Sequence, residues 1–183
     1  MNHWYLVASL PLVALGAEPP LSIDAFRALC GEHLPDRDLR ELDAVLERGA
    51  GTSEFARAWR ETSLRIDDEC VVLRAARLGI DASPWRKDIG VPDATLIAAV
   101  REAFQQPDPR GRELQLDTLR WRTLEDLART APFGLPAVLA YGLRLRLAAR
   151  QAARTETAGR QQLARHLDAM FAVFDRKAQE NRP

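Results

Sequence analysis

The sequence predicts an all-α fold, a bundle of about seven amphipathic helices. Apolar residues recur at intervals of three and four along most of the chain, which is the helical period. Residues that cap or break helices stand between these stretches, and the connections are short. No stretch combines sustained apolar–polar alternation with β-branched residues, so strands are not expected. The one candidate strand, Tyr5–Ala8, is short.

Three helices are predicted in the part of the chain that ends at Gly79. Each has apolar positions on one face, and polar capping or breaking residues set its ends. The boundaries are Ser22 before the first helix, Pro35 and Gly49 around the second, and Thr52 or Ser53 and Gly79 at the two ends of a long third.

Four further helices are predicted after a loop over residues 80–92, which contains Pro84, Gly90 and Pro92. Asp93 caps the next helix, and Pro107 and Pro109 break the chain after it. Another helix ends before Pro132. The last two are marked by apolar rows: Leu139, Leu143 and Leu147, then Leu163, Leu167, Met170, Phe171 and Phe174.

The length of 183 residues predicts a single domain. If it has two lobes, they are 1–83 and 92–183, joined by the loop 84–91. The formal net charge is zero, which argues against a general nucleic-acid binder. The charge is nevertheless split: residues 1–70 hold 13 acids and 7 bases, and residues 71–183 hold 13 acids and 19 bases. We therefore expect two oppositely charged ends.

The apolar stretch over residues 4–17 resembles the hydrophobic part of a signal peptide. However, Met1-Asn2-His3 contains no Lys or Arg, and Pro11 interrupts the run. We expect a retained structural segment and no transmembrane span. The alternative is an exported helical protein from which the segment Met1–Ala17 is removed.

Candidate catalytic and metal-binding residues are few. Asp67-Asp68-Glu69 is an acidic cluster on a predicted helix, and it would be the site if the chain were a small all-α enzyme. Adjacent helical residues point in different directions, so a solvated face is the preferred interpretation. Cys30 and His33 supply only two ligands and do not make a zinc site. We expect no enzyme activity, cofactor, metal or small-molecule ligand, and free thiols at Cys30 and Cys70.

Two groups of residues are candidate interfaces. Arg146, Arg150 and Arg154 share one helix face, and few acids lie near them in the sequence. The loop Trp85-Arg86-Lys87 combines Trp and Arg, which are enriched at interaction hot spots. Trp85 could equally anchor the loop in the core.

Six stretches, in order, resemble an uncharacterised bacterial family encoded among the subunits of V-type (A/V-type) ATPases. They are Trp4–Pro11, Leu21–Phe26, Leu64–Glu69, Leu73–Gly79, Leu116–Glu125 and Phe133–Leu135 leading into Leu139–Tyr141. The resemblance implies a cytoplasmic accessory subunit, peripheral to the inner membrane. The helical pattern is similar to the C (or d) subunit, which links the rotor stalk to the membrane ring. It implies stalk or membrane-ring subunits as partners and no catalytic residue.

Overall fold

The computed structural model describes residues 3–47, 51–87, 89–90, 93–155, 159–168 and 170. Over these residues the fold is all-α and contains no strand, as predicted. Seven α-helices are defined: α1 (Trp4–Ser9), α2 (Ile23–His33), α3 (Asp36–Leu46), α4 (Glu54–Leu78), α5 (Ala94–Phe104), α6 (Pro109–Ala128) and α7 (Leu135–Ala152). A 3₁₀ turn covers Ser83–Trp85, and residues 159–168 are also helical. The predicted helix stop Gly49 and the last two members of the C-terminal apolar row, Phe171 and Phe174, lie outside the described residues.

The capping residues act as the sequence indicates. The side chains of Ser22, Ser53 and Asp93 accept backbone N–H bonds at the starts of α2, α4 and α5. Gly79 ends α4 in the left-handed conformation, with φ of 67°. Pro109 begins α6, because proline is tolerated in the first turn, where its missing N–H has no helical acceptor to lose.

The candidate strand Tyr5–Ala8 is wrong, because these residues lie within α1. The segment around α1 belongs to the packed fold: Leu6 and Val13 are buried in the core. The Tyr141 hydroxyl donates to the Pro11 carbonyl at 3.0 Å. Burial of these apolar side chains overrides a local pattern too short to specify a strand.

The buried apolar side chains form two clusters. The first joins α1, α2, α3 and α7 with the first part of α4 and the end of α6. The second joins the second part of α4 with α5 and the beginning of α6. Ile66 and Leu96 share the second cluster, so the packing does not divide the chain at the loop 84–91. Helices α4 and α6 run through both clusters and connect them.

Helix α7 approaches α2 and α3 closely at Gly142. A Cβ atom added there would lie 2.8 Å from Phe26 Cε1 and 3.3 Å from Leu46 Cδ2. Helix α7 is also the most buried helix, with nine buried residues between Val138 and Ala148. None of the helices in the described part of the chain is long and apolar enough to cross a membrane.

Candidate functional site

The end of α4 and the connection to α5 carry exposed apolar side chains. Three large apolar side chains are exposed there, close together in the chain: Leu78 by 72%, Ile80 by 48% and Trp85 by 57%. Together with Arg86 and Lys87 they form what we call the α4–α5 loop surface. Trp85 therefore does not anchor the loop in the core. Exposed tryptophan and arginine are residue types enriched at protein–protein contacts.

Two carboxylates bind the first part of this loop, residues 81–87. Asp81 accepts the Ser83 backbone N–H at 3.0 Å and the Ser83 hydroxyl at 2.8 Å. Asp68 on α4 accepts the Arg86 side chain at 3.1 and 3.2 Å and the Lys87 backbone N–H at 2.9 Å. Because these hydrogen bonds order residues 81–87 within the chain, docking there would cost less ordering entropy.

The acidic cluster Asp67-Asp68-Glu69 does not converge on one point. Asp67 pairs with Arg120 at 3.1 Å, Asp68 with Arg86 at 3.1 Å, and Glu69 with Arg101 at 2.9 Å. These partners lie on α6, the loop and α5, so the three carboxylates radiate from α4. A cleft of about 430 Å³ lies beside Asp68 and Glu69, but both are already neutralised by arginine. This arrangement fits structural ion pairs better than acid–base catalysis.

These pairs also change the interpretation of the charge split. Each joins an acid from residues 1–70 to a base from residues 71–183. The expectation of two oppositely charged ends is therefore wrong in this region, because folding brings the acidic and basic parts of the sequence into contact. These three acids are neutralised within the protein and do not face a partner.

The predicted arginine stripe lies on α7, and its members Arg146, Arg150 and Arg154 all contact other parts of the chain. Arg150 and Arg154 donate to Asp117 on α6, and Arg154 also lies 3.3 Å from Glu113. Arg146 donates to the Leu46 carbonyl at the end of α3. The prediction that few acids neutralise the stripe is wrong, because α6 places two carboxylates beside it. These acids come from a different helix, so the sequence around the stripe does not reveal them.

Asp117 is the polar residue that sequence reasoning missed. It has no exposed surface and also accepts Gln151 at 2.5 Å and Arg120 at 3.2 Å. Burial lowers the pKa of Arg150, while the charge of Asp117 opposes that shift. Its burial could have been inferred from its position, because Asp117 lies two helical turns before the buried Leu124 on the same face of α6.

Metal binding has no support among the described residues, where no group of three His, Cys, Asp or Glu side chains is placed to hold an ion. Cys30 is buried and His33 is exposed against the ring of Tyr5, with centroids 5.6 Å apart.

Comparisons with protein-family models, curated proteins and solved structures find no match to this chain. The geometry of the α4–α5 loop surface therefore carries the functional argument.

Proposed function

We propose that this protein is a non-catalytic accessory or rotor-adaptor subunit of a bacterial V-type ATPase that acts by protein–protein contact. The assignment to the ATPase rests on the six ordered stretches that resemble the ATPase-associated family. The contact mechanism rests on one structural observation, the α4–α5 loop surface. In this proposal the protein is cytoplasmic and reaches the inner membrane only through the ATPase.

The α4–α5 loop surface has the composition of an interaction site. Trp85 offers a large exposed apolar area, and the exposed Lys87 supplies positive charge beside it. Because Asp68 fixes Arg86, the surface favours a partner whose apolar residue covers Trp85. Arg150 and Arg154 are left out of the proposed contact, since detaching them would remove two charged partners from the buried Asp117.

Affinity purification of the tagged protein from its own host at low salt tests the proposal. We expect the ATPase catalytic and stalk subunits to co-elute with it. Their repeated absence, with the assembled ATPase present in the same lysate, would overturn the assignment.

A matched pair of variants tests the surface. Trp85→Ser should reduce recovery of the partner by at least about tenfold, the loss typical of a hot-spot tryptophan. Trp4→Ser removes a tryptophan of the same exposure, 58%, from α1 and serves as the control. Equal recovery with both variants would place the contact elsewhere on the protein.

A further inference from the structure

A groove of about 240 Å³ lies between the N-terminal segment and helices α6 and α7. Its walls are apolar: Val7, Leu10 and Val13 line one side, and Ala128, Ala137 and Ala140 line the other. Leu12, 88% exposed, also lines it. The hydrogen bond from Tyr141 to the Pro11 carbonyl holds the N-terminal segment against α7.

Arg144 is the one ionised side chain among the described residues that line this groove. Its side chain is 21% exposed and its guanidinium carbon lies 4.8 Å from the centre of the Trp121 ring. Burial lowers the pKa of Arg144, against the opposing charge of Glu125. A cation is thus held beside an apolar surface, where it is poorly hydrated.

The charge of Arg144 is incompletely compensated within the protein. Its Nε–H is shielded from solvent and has no hydrogen-bond acceptor among the described residues. Its nearest carboxylate oxygen, Glu125 Oε1, is 3.6 Å from Nη1, beyond hydrogen-bond distance, and already accepts the Trp121 indole N–H at 3.0 Å. A carboxylate in the groove would compensate the charge of Arg144 more closely than Glu125 does at 3.6 Å.

We propose that this groove binds a small aliphatic carboxylate, with the carboxylate on Arg144 and the tail along the apolar walls. Arginine binds a carboxylate by donating two parallel N–H bonds to it, which selects for both the charge and the planar shape of the ligand group. The ligand class is a short straight-chain acid such as hexanoate, whose tail can lie along these walls. This site is separate from the α4–α5 loop surface and does not depend on the proposed function.

Calorimetric titration of the full chain with butanoate, hexanoate and octanoate tests the tail contact. We expect affinity to rise about fourfold for each added methylene until the groove is filled, the increment for burying one such group. Hexan-1-ol has the same tail without the charge and should bind at least about tenfold more weakly, because charged hydrogen bonds are the stronger ones. Equal binding of the alcohol and the acid would overturn the proposal and indicate an apolar side chain as the occupant.

Spectra of the Trp121 indole N–H report on the position of the ligand, since this group bonds Glu125 beside Arg144. Arg144→Gln should abolish the preference for hexanoate over hexan-1-ol, and Arg144→Lys should keep part of it. Arg129→Gln, which removes a 78% exposed arginine near the same end of α6, should leave binding unchanged.

Ala137→Leu narrows the groove without touching the arginine and should weaken hexanoate at least about tenfold. This variant keeps the proposal testable if Arg144→Gln does not fold. Unchanged hexanoate binding in folded Arg144→Gln or Ala137→Leu would overturn the proposal, as would the absence of any hexanoate binding to the unaltered protein.

Discussion

Arg150 on α7 donates a hydrogen bond to Asp117 on α6, a carboxylate that has no contact with solvent. Arg154 and Gln151 reach the same carboxylate at 3.1 and 2.5 Å. The last turns of α7 are therefore fastened to α6 by one buried negative charge. Arg120 extends the network to Asp67 on α4, so that one cluster of ion pairs crosses three helices.

Replacing Asp117 with alanine should destabilise the protein by about 3–5 kcal/mol, because it leaves several arginines around a buried position without their counter-charge. Urea denaturation followed by circular dichroism measures the change in unfolding free energy. Asp126→Ala is the matched control on the same helix, since Asp126 is exposed and pairs with the exposed Arg129. The control should change stability by less than about 1 kcal/mol. Similar losses in both variants would show that Asp117 is not the centre of the network.

Glycine-to-alanine substitutions at two helical positions should have opposite effects. Gly142→Ala places a Cβ atom 2.8 Å from Phe26, and the resulting overpacking should cost about 1–3 kcal/mol. Gly31→Ala meets only Leu39 Cδ2 at 4.0 Å, so the better helix propensity of alanine should stabilise the protein by about 0.5–1 kcal/mol. Thermal and urea unfolding of both variants measure whether each substitution raises or lowers the free energy of unfolding. A stabilising Gly142→Ala would mean that α7 can move away from α2 without loss.

The helix boundaries could be predicted because they are local. Ser22, Ser53, Asp93 and Gly79 act on backbone groups within a few residues of themselves, and each does what its residue type favours. The conformation of the N-terminal segment could not be predicted, because α1 contains too few turns for its apolar pattern to distinguish a helix from a strand. Its conformation depends on burial of Leu6 and Val13 against distant helices.

The polar contacts could not be predicted for the same reason. Arg154 and Asp117 are 37 residues apart, and nothing near either residue in the sequence indicates that α6 and α7 pack side by side. The α7 arginine stripe was correctly placed on a helix, but its acids come from another helix. For the same reason the sequence does not decide whether Trp85 is exposed or buried. Its loop is fixed by Asp68 on the preceding helix, and that pairing exists only after α4 and the loop fold together.

Glu41 should make stability sensitive to acid. Burial alone would raise its pKa, but hydrogen bonds from Thr52 and Ser53 outweigh burial and hold the pKa below the ordinary value of 4.5. A carboxyl with a lowered pKa stabilises the fold above its unfolded-state pKa, and this contribution is lost as pH falls through the folded-state pKa. Glu41→Gln should therefore cost about 1 kcal/mol at neutral pH. The difference from the unaltered protein should shrink below pH 4.5.

Unfolding free energies measured by urea between about pH 6 and about pH 3 follow this change. Glu18→Gln removes one negative charge from an exposed position outside the helices and controls for the effect of net charge. If the difference in unfolding free energy between Glu41→Gln and the unaltered protein stays constant down to about pH 3, the role assigned to the hydrogen bonds from Thr52 and Ser53 is contradicted.

The two cysteines should be inert in the folded protein. Burial, helped by the nearby Asp43, raises the pKa of Cys30 to about 12, and burial raises that of Cys70 to about 11 against the opposing charges of Arg74 and Arg120. Alkylation needs the thiolate, so iodoacetamide at about pH 8 should leave both thiols unmodified, while the unfolded chain should take up two equivalents, read by mass spectrometry. Ala153→Cys adds an exposed thiol as the control. If Cys30 or Cys70 reacts in the native protein as fast as this added thiol, the packing described around α2 or α4 is incorrect.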